Sequence, residues 1–270
     1  MKKFNLFNYA KEGPGVSKTS VMEKKTIIQF FELYFQSFRK LVTAGLLYLL
    51  FWVPLVTNGL GAAGLTNITR NIYCGRHSFG ASDFFETIKK NWKQSLGLGI
   101  LKLLAILLIA FATYYYGSAE GTLADVGLGV CIFLIFAVYT MMNYIPLMTV
   151  SFSLKTGKII SNSFKFVFLN LWRNLLIVLL DVVVAAIAVF IIMYGDSHAV
   201  AITIYGLVVA IIYPSFRALA VQFCIFPSVR KYMIDPYYEQ HPDADIELRR
   251  SLGLLKEEDN PEDRVFEDTI

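Results

Sequence analysis

The chain has 270 residues, 56% of them hydrophobic and only 17% charged, with a formal net charge of +4. A soluble domain is nearer a quarter charged, so this balance, with a mean hydropathy of +0.53, excludes an ordinary soluble globular protein. The composition describes an all-α integral membrane protein with the lipid bilayer as its first partner, and no nucleic acid is expected among the others.

In chain order, residues 1–26 read as a cytoplasmic leader. It carries charges but no apolar core, so it is not expected to be a cleavable signal peptide. Within it Gly13-Pro14-Gly15 sets a turn, with Tyr9 and Val16 on either side to pack. Lys18, Lys24 and Lys25 then approach the lipid surface.

Next comes FFELYFQSFRKL, Phe30 to Leu41, and related stretches occur twice more: FFETIKKNWKQS from Phe84 and FKFVFLNLWRNL from Phe164. In each, a leading Phe is followed by an aromatic–cation pair: Phe38 and Arg39, Trp92 and Lys93, Trp172 and Arg173. A ring at headgroup level beside a cation reaching for phosphate is what an interface anchor needs. The Phe-rich lead-ins read as amphipathic segments lying along the membrane plane.

Crossing roughly 30 Å of hydrocarbon takes about 20 largely apolar residues. Leu41–Val56 is a short candidate, and Pro54 with Asn58-Gly59 reads as the tight turn after it. Gly59–Tyr73 is ambiguous, being rich in Gly and Ala and polar at its end. Leu96–Tyr116, Leu123–Phe152, Leu175–Tyr194 and Ala199–Phe226 are clear candidates. Pro146, Pro214 and Pro227 fall within or near the ends of spans, where bent packing explains them and freed carbonyls could line a cavity.

Hydropathy alone would leave Gly59–Tyr73 out, but charge brings it back. Lys and Arg concentrate in four segments: up to Lys40, Arg70–Lys93, Lys155–Arg173, and from Arg230 onward. The connections YGSAEGTLAD and YGDSHA contain none. Only six spans put all four basic segments on the cytoplasmic side, as the positive-inside rule requires. The expectation is a six-helix transmembrane domain over 27–234, built from three parallel hairpin repeats, about 27–76, 81–156 and 161–231. An acidic cytoplasmic tail follows over 235–270. The first 234 residues hold 21 Lys and Arg against 9 Asp and Glu, and the tail holds 4 against 12.

Three ionisable residues, Lys102, Asp181 and Arg217, fall inside the spans, where each charge is costly, about +2.5–3.5 kcal/mol on the insertion scale. Two readings are open. One is a polar site near the midplane, with Asn143, Tyr213 and Gln222 nearby. The other is an Asp181–Arg217 pair that sets helix register while Lys102 snorkels inwards.

His77, His198 and His241 have no second ligand at metal-binding spacing, and no phosphate loop, HExxH or GxSxG occurs. Asp83 and Glu86 suit a helix N-terminus. Cys74, Cys131 and Cys224 are scattered, which favours reduced, buried thiols. No catalytic residue, metal or cofactor is expected, and an enzyme is not.

NYAKEGPGVSK, PLVTNGLGAAGLTNITRNI and DFFETIKKNWKQ together resemble the YesL-like membrane proteins of Gram-positive bacteria. The resemblance covers most of residues 5–230 and is strongest in the first hundred. Gly13, Pro14 and Gly15, with Asp83 and Trp92, match the motifs. The family's usual Lys-Pro-Gly-Pro-Gly stands here as Lys11-Glu12-Gly13-Pro14-Gly15, one residue different.

The resemblance implies a multi-pass protein of the bacterial cell membrane with no assigned catalytic activity. It also implies an accessory or regulatory role in carbohydrate uptake, with an ABC importer subunit or a sensor kinase as partner. The alternative is a small-solute transporter or channel that uses Lys102, Asp181 and Arg217.

Overall fold

The structure is a computed structural model that describes residues 27–76, 78–194 and 198–240. The leader with Gly13, Pro14 and Gly15, and the acidic tail beyond Gln240, lie outside the described residues. What is described is helical: α1 (Ile27–Gln36), α2 (Phe38–Trp52), α3 (Asn58–Tyr73), α4 (Ala81–Ser118), α5 (Thr122–Ser151), α6 (Thr156–Leu169), α7 (Leu171–Tyr194), α8 (His198–Val229) and α9 (Asp235–Gln240). A π-helical turn, Arg230–Ile234, joins α8 to α9.

Four stretches are long and apolar enough to cross a membrane: α4, α5, α7, and the run from Ala199 to Tyr238 that begins in α8. In their most apolar windows only 6–17% of residues are buried inside the protein. Their apolar side chains therefore face outward, as lipid demands and water would not permit over so large an area. Helix is the form these runs take because hydrocarbon offers the backbone no other hydrogen-bond partners. At 15 and 16 residues, α2 and α3 are shorter than a standard span.

Consecutive helices pack on one another, α2 with α3, α3 with α4, α4 with α5, and α7 with α8, and the contact of α3 with α4 is the most extensive. The sequence expected an amphipathic segment ahead of each outgoing helix. In the first and third cases such a helix is separate: α1 ends one residue before α2, and α6 one residue before α7. The second lead-in is instead continuous with its span, the 38 residues of α4.

At the break between α6 and α7, Asn170 donates to the Tyr144 hydroxyl (3.1 Å) and accepts from Ser228 (2.8 Å). Tyr144 in turn donates to Asn174 (2.8 Å), whose amide donates to the Val167 carbonyl (3.1 Å). The bend is held by a buried, connected network, which is the condition under which buried polar groups stabilise rather than cost.

Two further expectations change. Asn58 and Gly59 are not in the first turn, which runs through residues 53–57 with Leu55 at φ +54°; they open α3. The third lead-in begins at Thr156, not 161.

The Gly- and Ala-rich α3 sits at the centre, touching α2, α4, α5 and α8, and nine of its sixteen residues are buried. Small side chains let neighbouring backbones approach, which is how helices associate where lipid removes the hydrophobic drive. Phe84 is fully buried and packs on this surface: a β-carbon at Gly64 would lie 2.7 Å from its ring, and the Phe51 ring is 5.8 Å away.

The leading Phe of the first motif, Phe30, is likewise buried, against Phe216 and Phe223. That of the third, Phe164, is exposed, and Phe166 takes the buried place. Phe84→Ala is expected to lower stability by about 3 kcal/mol, the low end of the range for a buried Phe→Ala, in which the cavity left behind adds to the lost transfer energy. The check is unfolding in mixed detergent micelles; a loss under about 1 kcal/mol would show that α3 and α4 close on the space.

Candidate functional site

Helices α2, α3, α4, α5 and α8 line an open-sided cavity of about 590 Å³, within the usual range for small-ligand sites. Two of the three intramembrane charges line it, Lys102 from α4 and Arg217 from α8. Asp181 stands behind Arg217 on α7 and is outside the lining.

Arg217 is held from several sides. Its Nε donates to Asp181 Oδ1 (2.8 Å) and Oδ2 (3.2 Å), and Nη2 donates to Oδ2 (3.1 Å). Nη2 also donates to the Tyr139 hydroxyl (2.9 Å), and Nη1 to Asn143 Oδ1 (3.1 Å). The Tyr213 hydroxyl donates to Asp181 Oδ1. The forked contact with one carboxylate, completed by neutral acceptors, suits a guanidinium's fixed geometry. The two charged side chains keep 26% and 22% of their surface exposed, so the pair is only partly desolvated. Asp181 and Arg217 therefore do pair across their hairpin.

Lys102 does not join them. Its Nζ donates to Asn58 Oδ1 at the start of α3, and Asn58 Nδ2 donates to the Tyr48 hydroxyl (3.1 Å). That second bond orients the amide so that its oxygen faces the ammonium. Among the described residues no carboxylate lies within 4.0 Å of Lys102; the ion pairs there are Arg217–Asp181 and Arg230–Asp235.

Three buried polar atoms on lining residues have no hydrogen-bond partner: Ser95 Oγ, Asn143 Nδ2 and Gln222 Oε1. Asn143 is not ambiguous, because its oxygen is committed to Arg217. The remaining lining is largely apolar, as ligand sites usually are, with polar groups reserved for orientation.

The anchor residues are peripheral. Phe38 is 39% exposed, Trp92 50% and Trp172 80%. The Lys93 ammonium sits 5.6 Å from the centre of the Trp92 ring, and Arg39 is exposed. Arg173 differs from a lipid-directed cation: its Nη1 donates to the Cys224 carbonyl (3.1 Å) and to Ser228 (3.3 Å) on α8. Asp83 accepts the Phe79 backbone N–H (2.9 Å) ahead of α4, the helix-start role its position suggested. Among the described residues no group of His, Cys, Asp and Glu is placed to hold a metal, and no disulfide joins the three cysteines.

Asn58, Tyr48, Tyr139 and Ser95 are cavity residues that sequence reasoning did not single out. One signal was available for Tyr139: it lies four residues before Asn143, as Tyr213 lies four before Arg217, and such spacing puts both on one helix face. Nothing local marked Asn58, which reads as a turn residue. The chain matches no protein-family model, no curated protein and no solved structure.

Proposed function

We propose that this chain is a non-enzymatic, six-span protein of the bacterial cell membrane that binds a small polar solute in the cavity between its helix pairs, as a transporter or channel does. The observation that carries this reading is the cavity lining: two cations within the spans and three residues that each carry an unpartnered buried polar atom line one cleft. Six spans are favoured because, with α2–α3, α4–α5 and α7–α8 each crossing out and back, every basic connection falls on one side of the membrane. Three such pairs in series are also consistent with hairpin repeats about an axis along the membrane normal.

A second reading takes its support from the three motif segments that resemble YesL-like proteins. Here the chain is an accessory or regulatory component of carbohydrate uptake that contacts an ABC importer subunit or a sensor kinase on its cytoplasmic side. Arg230, Lys231 and the exposed rings Tyr232 and Tyr237 lie at that end of the chain.

One experiment separates the two. The purified protein is melted against a panel of small neutral and charged solutes, beside Ala62→Trp, which fills the cavity. A solute that raises the melting temperature of the wild type, and not of Ala62→Trp, supports the solute site. No stabilising solute, with an importer or kinase subunit co-purifying from native membranes, would replace it with the accessory reading.

A further inference from the structure

We propose that the cavity selects a small hydroxylated anion, its acidic group on the Lys102 ammonium and its hydroxyls on Ser95, Asn143 and Gln222. This rests on the reading of the cavity as a solute site and adds the class of solute.

Charge balance is the first argument. Arg217 is neutralised by Asp181 through three contacts of 2.8–3.2 Å, and its other hydrogen bonds go to Asn143 and Tyr139. Lys102 has only a neutral partner, the Asn58 carbonyl oxygen. An ammonium carries three donors, and Asn58 engages one of them. The lining as a whole therefore presents one uncompensated positive charge, in a setting where charges interact more strongly than in water. An intramembrane cation of this kind marks a ligand or ion path by default.

Hydrogen-bond complementarity is the second. Buried polar atoms are almost always partnered, yet three residues that line this cavity each carry one that is not. Asn143 Nδ2 needs an acceptor, Gln222 Oε1 needs a donor, and Ser95 Oγ can use either. A hydroxyl group supplies both functions. Water would satisfy these atoms without answering the charge on Lys102, whereas a hydroxylated anion answers both. The volume, about 590 Å³, leaves room for a molecule the size of a sugar acid. Two sources share this chemistry, a soluble sugar acid and the glycerol-phosphate headgroup of an anionic lipid; the soluble source is the one proposed.

The test uses the full chain in nanodiscs of zwitterionic phosphatidylcholine, titrated with gluconate and with glucose. Fluorescence of Trp52, which lines the cavity, reports binding beside calorimetry. Gluconate is expected to bind at least tenfold more tightly than glucose. Lys102→Met should remove that preference and Lys102→Arg should retain it. Asn58→Asp, which sets a carboxylate against the ammonium, should remove it too while leaving the lysine in place, and so covers the case in which Lys102→Met does not fold.

Equal binding of gluconate and glucose, or a preference unchanged in Lys102→Met and Asn58→Asp, overturns the proposal. If glucose binds and Ala62→Trp blocks it, the solute site stands and only the anion selectivity falls. If neither probe binds, the proposal falls. If phosphatidylglycerol in the discs abolishes gluconate binding in the wild type, the anion is a lipid headgroup and the soluble version is overturned.

Discussion

Asp181→Leu will destabilise the protein by about 3 kcal/mol, and adding Arg217→Met will recover most of the loss. The single change removes the carboxylate that takes three of the five hydrogen bonds Arg217 makes to side chains. What remains is a guanidinium inside a helix pack with only Asn143 and Tyr139 to face it. Breaking a buried pair costs about 3–5 kcal/mol because one charge is stranded, whereas replacing both partners with apolar groups is often nearly neutral. Both side chains are about a quarter exposed, which places the estimate at the lower end. Unfolding titrations in mixed micelles decide it. If the double variant is no more stable than Asp181→Leu, the pair holds the register of α7 on α8 in a way apolar packing cannot supply. Such a result would strengthen the structural reading of the pair.

Gly59→Ala is the second large effect, at about 3 kcal/mol, the upper part of the range for overpacking. A β-carbon at Gly59 would sit 2.3 Å from the Ser95 carbonyl oxygen and 3.0 Å from Gly99 Cα. Both are backbone atoms of α4, so no side chain can rotate away and the two helices must separate. Separation would also move Asn58 away from Lys102 and widen the cavity they share. Gly97→Ala, two residues from Gly99 on the same helix, is the control: nothing lies within 4 Å of its added carbon. It should be neutral or slightly stabilising, because Ala is the better helix former by about 1 kcal/mol. Equal losses in the two variants would show that the α3–α4 contact is looser than its geometry implies.

The membrane character of this chain, the positions of its four long apolar helices and the three charges inside them were legible in the sequence. Each depends on one residue and its solvent: lipid rejects charge and accepts Leu, Ile, Val and Phe wherever they stand, so the signal survives without knowledge of the neighbours. Hydropathy undervalued α3 for the same reason. It measures transfer into lipid, and α3 is surrounded by protein, where the small size of Gly59, Gly61 and Gly64 matters more than their polarity. The packing order followed from that and could not be read in advance.

The site was legible only in part. Lys102, Asp181 and Arg217 stood out as costly charges, but which of them would pair depended on groups 36 residues apart meeting across a hairpin. Asn58 and Lys102, 44 residues apart, meet because two glycines let α3 and α4 cross closely. By itself the sequence determined where lipid would be met and where charge would be costly, since both are properties of single residues in a solvent. Only the tertiary structure decided that Arg217 is neutralised while Lys102 is not, because that depends on which side chains the helix crossings bring within hydrogen-bond reach.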